Sequence, residues 1–294
     1  MKTITRRRLI TTGLAATAGI AGVTEAARLA KRYGLAPPDC GGIYGPGETL
    51  TYAASRVFGA HAMAREFPRS MISEKPFANE IPPLPEAFKT QQAVGFKDWT
   101  LTVDGLVAHP TKFSIADLTT LGRSSQITEV SCEEGWSYVA EWIGTPLAAV
   151  LREVQPAPQA RFAAYFSVQR ELWGSIDMEE AAHPQTQLTW AMNDGDLPVG
   201  FGGPLRIRVP RQLGYKSLKY IDRITVTDSM KRFGKGLGSV DPDYGYSWYA
   251  GIYPLQTLRI TPPAKPLPPA QTCFSFAAAP PRSTSSPNPP GTVR

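Results

Sequence analysis

Apolar and polar positions follow regular periods only in the middle of the chain. Trp99, Leu101 and Val103 alternate with polar partners and stop at Asp104-Gly105, which predicts a strand closing in a turn. Ser114-Ile115-Ala116-Asp117 has the form of a capping box and predicts a short helix to about Leu121. Thr128, Val130 and Cys132 then fall on one face of a strand that hands over to the loop Glu133-Glu134-Gly135. Thr145-Pro146 predicts a helix start, with Thr as N-cap and Pro at the first helical position, running over Leu147, Val150 and Leu151. Phe162 to Val168 is nearly continuous in apolar residues, as expected of a strand buried on both faces. Asp177 to Ala182 reads as a short helix, and Asn193-Asp194-Gly195-Asp196 as a hairpin-type turn. Leu205, Ile207 and Val209 alternate with Arg206 and Arg208, and Ile224 with Val226 continues that strand pattern.

Strands and short helices interleave irregularly, which argues for α+β with mixed β-sheets rather than a doubly wound parallel sheet. No internal repeat is visible. Residues 27–95, rich in Pro, Gly and turn residues between Pro37 and Pro85, read as an irregular arm laid over the domain. Residues 96–261 carry the regular pattern and read as one folded domain, and 262–294, dominated by Pro, Ser, Thr and Ala, read as a disordered tail.

The first 26 residues add a location. Thr5-Arg6-Arg7-Arg8-Leu9-Ile10 precedes a charge-free, Gly/Ala-rich stretch to Thr24, too diluted by glycine and threonine for a membrane span of roughly 20 apolar residues. The arrangement resembles a twin-arginine export signal, which carries folded, cofactor-loaded proteins to the periplasm. No clean small-x-small cleavage site follows, so an uncleaved N-terminal membrane tether stays open. The net charge of +6 suits an anionic cofactor or a membrane surface, and without zinc-finger spacing or a lysine-rich run it does not argue for nucleic acid.

Three cysteines are too few for a disulfide scaffold, and their odd number leaves at least one unpaired. Cys40 and Cys273 lie in Pro-rich segments; Cys132 lies inside the domain, at a strand end beside a Gly turn. Three roles compete for Cys132: an inert buried thiol, a nucleophile needing a histidine base, or a thiolate ligand for a soft metal. His61, His109 and His183 show no motif spacing to it, and one cysteine cannot by itself make a zinc or iron–sulfur site.

A second constellation is basic. Arg206, Arg208, Arg211, Lys216 and Lys219 are threaded by Pro210 and by Gly214-Tyr215-Lys216, a combination of side-chain cations and free backbone N–H groups that suits a phosphate. An edge strand blunted by solvated charge fits the same residues. The upstream Gly200-Phe201-Gly202-Gly203-Pro204 matches neither a P-loop nor a Rossmann fingerprint, which argues against ATP and NAD.

Taken in order, Cys132-x-Glu134-x-Trp136-Ser137, Trp142-x-Gly144-x-Pro146-Leu147, Leu197-Pro198 with Gly202-x-Pro204-x-Arg206, and Val209-Pro210 through Gly214-Tyr215-Lys216 resemble the sulfite-oxidase-fold molybdoenzymes. Within these the similarity is strongest to the periplasmic protein-methionine-sulfoxide reductase catalytic subunits, from about Trp99 to Pro254. The resemblance implies a sulfite-oxidase-type molybdopterin-binding fold and a Mo-molybdopterin cofactor, its metal held by Cys132 and by the cofactor's own dithiolene. It further implies that Arg206, Gly214, Tyr215 and Lys216 hold the pterin phosphate, that Ser167 contacts the cofactor, and that Asn79 stands near the metal.

Two departures matter. Phe201 stands where the family has Asn or His, and Glu133 and Glu134 follow the cysteine where sulfite oxidases carry a neutral, Arg-rich stretch. The expected activity is oxygen-atom transfer, reducing a sulfoxide or related oxide, free or protein-bound. Oxidation of sulfite or another small donor is one alternative, and a cofactor-free binding module on the same fold is another. With no haem domain in view, electrons are expected from a separate donor, a membrane haem or cytochrome b-type protein.

Overall fold

The computed structural model describes residues 19, 21–79 and 83–251, which lie in one compact unit. The twin-arginine segment, Cys273, Tyr253-Pro254 and the Pro-rich tail fall outside the described residues.

Two five-stranded sheets form the domain. The first runs in the order β2 (Thr111–Ser114), β1 (Thr100–Gly105), β10 (Ile221–Thr227), β5 (Phe162–Ser167), β6 (Trp173–Asp177). β1 and β10 are parallel, with Val103 opposite Ile224, and the other pairings are antiparallel, so the sheet is mixed as expected. The second joins β3 (Ser124–Ser131), β4 (Ser137–Pro146), β7 (Gln187–Met192) and β8 (Gly195–Asp196), with β9 (Arg206–Arg208) pairing to β7. Inward residues of both sheets, including Leu101, Val103, Ile224, Leu188 and Ile207, share one buried cluster with Leu118 of α4 (Ile115–Leu121) and Leu147, Val150 and Val154 of α5 (Leu147–Val154). Polar residues alternate with these, so burial on one face fixes each strand's register.

The capping box at Ser114 is present, with Asp117 as its reciprocal partner. Asp177 caps α6 (Met178–Ala181), its carboxylate taking the Glu180 N–H at 2.7 Å. At α5 the cap position falls on Pro146 rather than Thr145, because the Thr145 hydroxyl donates to the Leu118 carbonyl at 2.7 Å and so ties α4 to β4. The buried run of β5 and the turn at Asn193, at φ 53°, are as expected.

The arm is more regular than expected. A helix α1 covers residues 21–32, α2 covers Gly45–Phe58 and α3 covers Glu86–Ala93. α2 opens on Pro46 in its first turn and buries Thr49, Tyr52, Ala53 and Arg56, one face of a helix with spacings of three and four. Flanking glycines hide that face from a reading of turn residues. Its anchor is ionic: Arg56 donates to Asp177 at 2.7 Å and to Glu180 at 3.2 Å, all three side chains being almost fully buried.

Candidate active site

Antiparallel pairing of β3 and β4 ends at Ser131 opposite Ser137, and the five residues between make a tight reversal. The Cys132 N–H donates to the Trp136 carbonyl and the Gly135 N–H to the Cys132 carbonyl, with Gly135 at φ 90° where a side chain would be strained. Cys132 thereby lines a cavity of about 210 Å³.

The opposite wall comes from the segment after β9. Gly214 packs so near that a Cβ there would sit 3.3 Å from the Ser131 carbonyl oxygen and 3.6 Å from the Cys132 Cα, so a side chain would push the two loops apart. Residues Gly214–Lys216 form a 3-10 turn, whose first N–H groups have no carbonyl partner within the turn. Asn79, Cys132, Arg206, Gly214 and Tyr215 line this one cavity, together with Glu133, Glu134, Trp136, Tyr138, Gln169, Ser217 and Lys219.

Two expected residues stand elsewhere. Ser167 is fully buried behind the wall, its hydroxyl taking the N–H of the lining residue Gln169 at 3.2 Å. The Lys216 side chain, also fully buried, turns away from Cys132: its Nζ lies 3.3 Å from Asp241 Oδ2, an ion pair without hydrogen-bond geometry, and over the Trp248 ring at 5.3 Å. Lys216 therefore does not line the cavity; its turn does so through Gly214 and Tyr215. The lysine that lines the cavity is Lys219, whose Nζ donates to the Gly200 carbonyl at 2.7 Å and, more distantly, to that of Asn79 at 3.4 Å. The signal for it was its place in the basic run; only the backbone path shows which lysine faces inward.

Arg206 and Arg208 are buried, not the solvated edge that their alternation with Leu205, Ile207 and Val209 allowed. Arg206 donates to the carbonyls of Phe201 and Ser217, and Arg208 to the Ser217 and Thr128 hydroxyls and the Glu129 carbonyl. Both guanidiniums lie over the Trp142 ring, and the Nε of each has no partner among the described residues. Every acceptor is neutral. Among the described residues no carboxylate pairs with Arg206, Arg208 or Lys219. Burial lowers the pKa of all three, to about 9 for Arg208 and about 7 for Lys219, with Arg206 adding repulsion to both. Leaving a buried cation such as Arg206 without a carboxylate costs several kcal/mol, and an anion in the cavity that Arg206 lines would offset that cost.

Cys132 is half-buried. Burial foremost, and then the Glu133 carboxylate, push its thiol up to about 12. The thiol donates to Glu133 Oε2 at 3.2 Å, and Glu134 takes the Trp136 indole N–H at 2.8 Å. Phe201 does not line the cavity: its ring packs edge-on against Tyr138 at 5.7 Å, while its carbonyl holds Arg206. The donor set therefore fits a molybdopterin. One soft sulfur stands for the metal, and a basic floor with an open Gly-turn stands for the phosphate, without a cluster of further protein ligands among the described residues.

Comparison with known proteins agrees with that chemistry. Residues 87–233 match the family described as the oxidoreductase molybdopterin binding domain. The relative named "Putative protein-methionine-sulfoxide reductase subunit YedZ1" of Azospira oryzae is 34% identical over 195 residues, covering 66% of this chain and 70% of its own. The protein-methionine-sulfoxide reductase catalytic subunit MsrP of Ralstonia nicotianae is 32% identical over 171 residues, 53% of this chain and 51% of its own. Among solved structures, the sulfane dehydrogenase SoxCD of Paracoccus pantotrophus aligns at 20% identity with a TM-score of 0.44, covering 57% of this chain and 46% of that one. The mixed-sheet α+β domain around Cys132 thus belongs to the molybdopterin-binding oxidoreductases, with Mo-molybdopterin as its cofactor.

Proposed function

We propose that the protein is an exported, periplasmic enzyme that reduces a sulfoxide, free or protein-bound, with electrons from a separate membrane haem or cytochrome b-type donor. The observation that carries this reading is a single cavity holding Cys132 beside buried Arg206 and half-buried Lys219, cations with no carboxylate partner among the described residues. Relatives named as methionine-sulfoxide reductases support the substrate class. No helix among the described residues is long and apolar enough to cross a membrane.

When bound, the cofactor supplies a molybdenum centre that exchanges an oxygen atom with substrate between two oxidation states. In this reading Cys132 ligates the metal as thiolate, giving up the proton that burial otherwise holds on it. Arg206, Lys219 and the N–H groups of Gly214 and Tyr215 hold the phosphate, Lys216 fixes the turn from behind, Ser167 braces Gln169, and Asn79 closes the wall. The rings of Trp136, Tyr138 and Tyr215 line the same cavity and would limit water around the sulfur once the cofactor fills it. Reducing a sulfoxide to a thioether takes two electrons and two protons and releases water.

Sulfite oxidation runs the same exchange in the opposite direction, but Glu133 and Glu134 would repel a dianion at the metal ligand. Metal and pterin analysis of protein made in a molybdopterin-competent host tests the core reading, with near-stoichiometric molybdenum expected and its loss in Cys132→Ser. Assays in both directions with artificial carriers then test direction. Steady sulfite oxidation without sulfoxide reduction would overturn the assignment.

A further inference from the structure

The chain carries a net charge of +6, yet the border of the Cys132 cavity is acidic. Glu133 Oε2 lies 3.2 Å from the Cys132 Sγ, and exposed Glu134 is held in place by the Trp136 indole at 2.8 Å. Of the cavity's cations, Arg206 is buried and Lys219 half-buried, and a phosphate bound there, as proposed above, would neutralise them. The charge an arriving molecule meets is then that of the two glutamates.

The same border is aromatic. Trp136 packs against Phe77 at 5.1 Å, and Phe77 is 51% exposed. Tyr215 stacks on Tyr246 at 5.7 Å, and Tyr246, near enough to feel Glu133, Glu134 and Cys132, is 39% exposed. Exposed rings beside carboxylates favour a partner that is apolar and cationic, since a lysine or arginine can lie over a ring and face a carboxylate together.

We propose that this border selects the substrate: a neutral S-oxide presented by a peptide with basic and apolar neighbours, over the same group beside acidic residues and over free anionic oxides. The proposal rests on the sulfoxide-reductase reading above. The sulfur–oxygen bond that breaks is the same in either peptide, sulfur being reduced by two electrons from the donor while the oxygen leaves as water. Only the approach differs, so the selection falls on KM and on binding rather than on kcat. Surface charge contacts are individually modest and screened by salt.

The test uses the holoenzyme with an artificial electron donor and two short peptides that differ only in lysine or glutamate on either side of a methionine sulfoxide. Matching methionine-sulfone peptides, which are not turned over, give equilibrium binding by calorimetry. The lysine-flanked peptide should be favoured about fivefold or more in kcat/KM and in sulfone binding at low salt, the ratio falling towards one at about 0.5 M salt. Glu134→Gln keeps an acceptor for the Trp136 indole and removes only charge, so it should lower the ratio with Trp136 still in place. Reduction of both peptides at equal kcat/KM with equal sulfone binding, or a preference for glutamate, overturns the selection and leaves sulfoxide reduction standing. A lysine preference in sulfone binding with neither sulfoxide reduced supports the selection and overturns the reductase reading.

Discussion

Arg208 reaches from β9 to Ser217, its Nη1 donating to the serine hydroxyl at 3.0 Å while that hydroxyl also takes the Val209 N–H at 3.1 Å. The Ser217 carbonyl accepts from Arg206, so one residue of the cavity wall is held by two like-charged groups. Trp142 lies against both, with guanidinium carbons 5.2 and 4.7 Å from its ring. This arrangement keeps two cations together, Arg206 lining the cavity and Arg208 behind Ser217, without a carboxylate partner among the described residues, a cost that an anion in the cavity would offset.

Arg208→Met should therefore act differently on the two forms of the protein. In the cofactor-free form the lost hydrogen bonds to Ser217, Thr128 and Glu129 are set against relief of a buried charge, and unfolding free energy should change by less than about 2 kcal/mol. Pterin retained through purification should fall about tenfold, a difference of ~1.4 kcal/mol in affinity. Urea unfolding of the apo form and fluorescence of the pterin released by acid measure the two. A loss of stability in the apo form as large as the loss in affinity would show that Arg208 serves only the fold.

Lys219 gives the apo protein a pH dependence of known sign. Its folded pKa is lowered to about 7 by burial and by Arg206, whereas the unfolded side chain keeps its proton to about 10.4. Between these values the unfolded chain binds more protons, so this lysine makes apo stability rise with pH from about 7 to about 10. A phosphate bound in the cavity would restore the charged form, so under the proposed reading the holoenzyme should show a flatter profile. Denaturant unfolding of apo protein, holoenzyme and apo Lys219→Met over that range checks it, the variant losing about one proton's worth of slope. An unchanged slope in the variant would remove Lys219 from the account.

Strand periodicity made most of the two sheets legible, because β1, β3, β5 and β10 alternate or run apolar as burial on one or two faces requires. α2 was not legible: Gly45, Pro46 and Gly47 read as a loop, and the residue that anchors it, Arg56, is buried against carboxylates more than a hundred positions away. At the site, the motif order singled out Cys132, Arg206 and the Gly214 turn, and these residues line one cavity. Periodicity could not separate Lys216 from Lys219, since which of them faces Cys132 depends on a 3-10 turn and on Asp241 behind it. Nor could it tell that Phe201 packs sideways on Tyr138 instead of lining the pocket.

Arg56 should be worth more to stability than any surface ion pair of this chain. It is 5% exposed, is held by Asp177 and Glu180, and lies over the rings of Tyr52 and Tyr249. Removing it leaves two buried carboxylates with the Tyr52 hydroxyl on Asp177 and, as the one other salt-bridge cation among the described residues, Arg211 at 3.8 Å from Glu180. Arg56→Met should cost about 3–5 kcal/mol and expose α2 to proteolysis. Arg69→Met, which breaks exposed pairs with Glu141 and Asp194, should cost less than about 1 kcal/mol. Chemical unfolding of both variants makes the comparison, and equal losses would mean that α2 is not fastened by this cluster.

His183 sets the acid limit of the same region. It is 6% exposed, its Nδ1 accepts the Gln185 N–H at 3.2 Å, and its pKa is lowered to about 4 by burial and by Arg211, Arg56 and His61. The neutral ring is the folded form, and the unfolded ring takes a proton near 6.5. Between these values the unfolded chain binds the extra proton, so the stability present above pH 6.5 is lost as pH falls towards 4, by up to about 3 kcal/mol. Neutral Gln at this position keeps an acceptor without the titration. His183→Gln should therefore flatten unfolding free energy between pH 6.5 and 4 by about one proton's slope in denaturant titrations. An acid limb that stays as steep in the variant would remove His183 from the account.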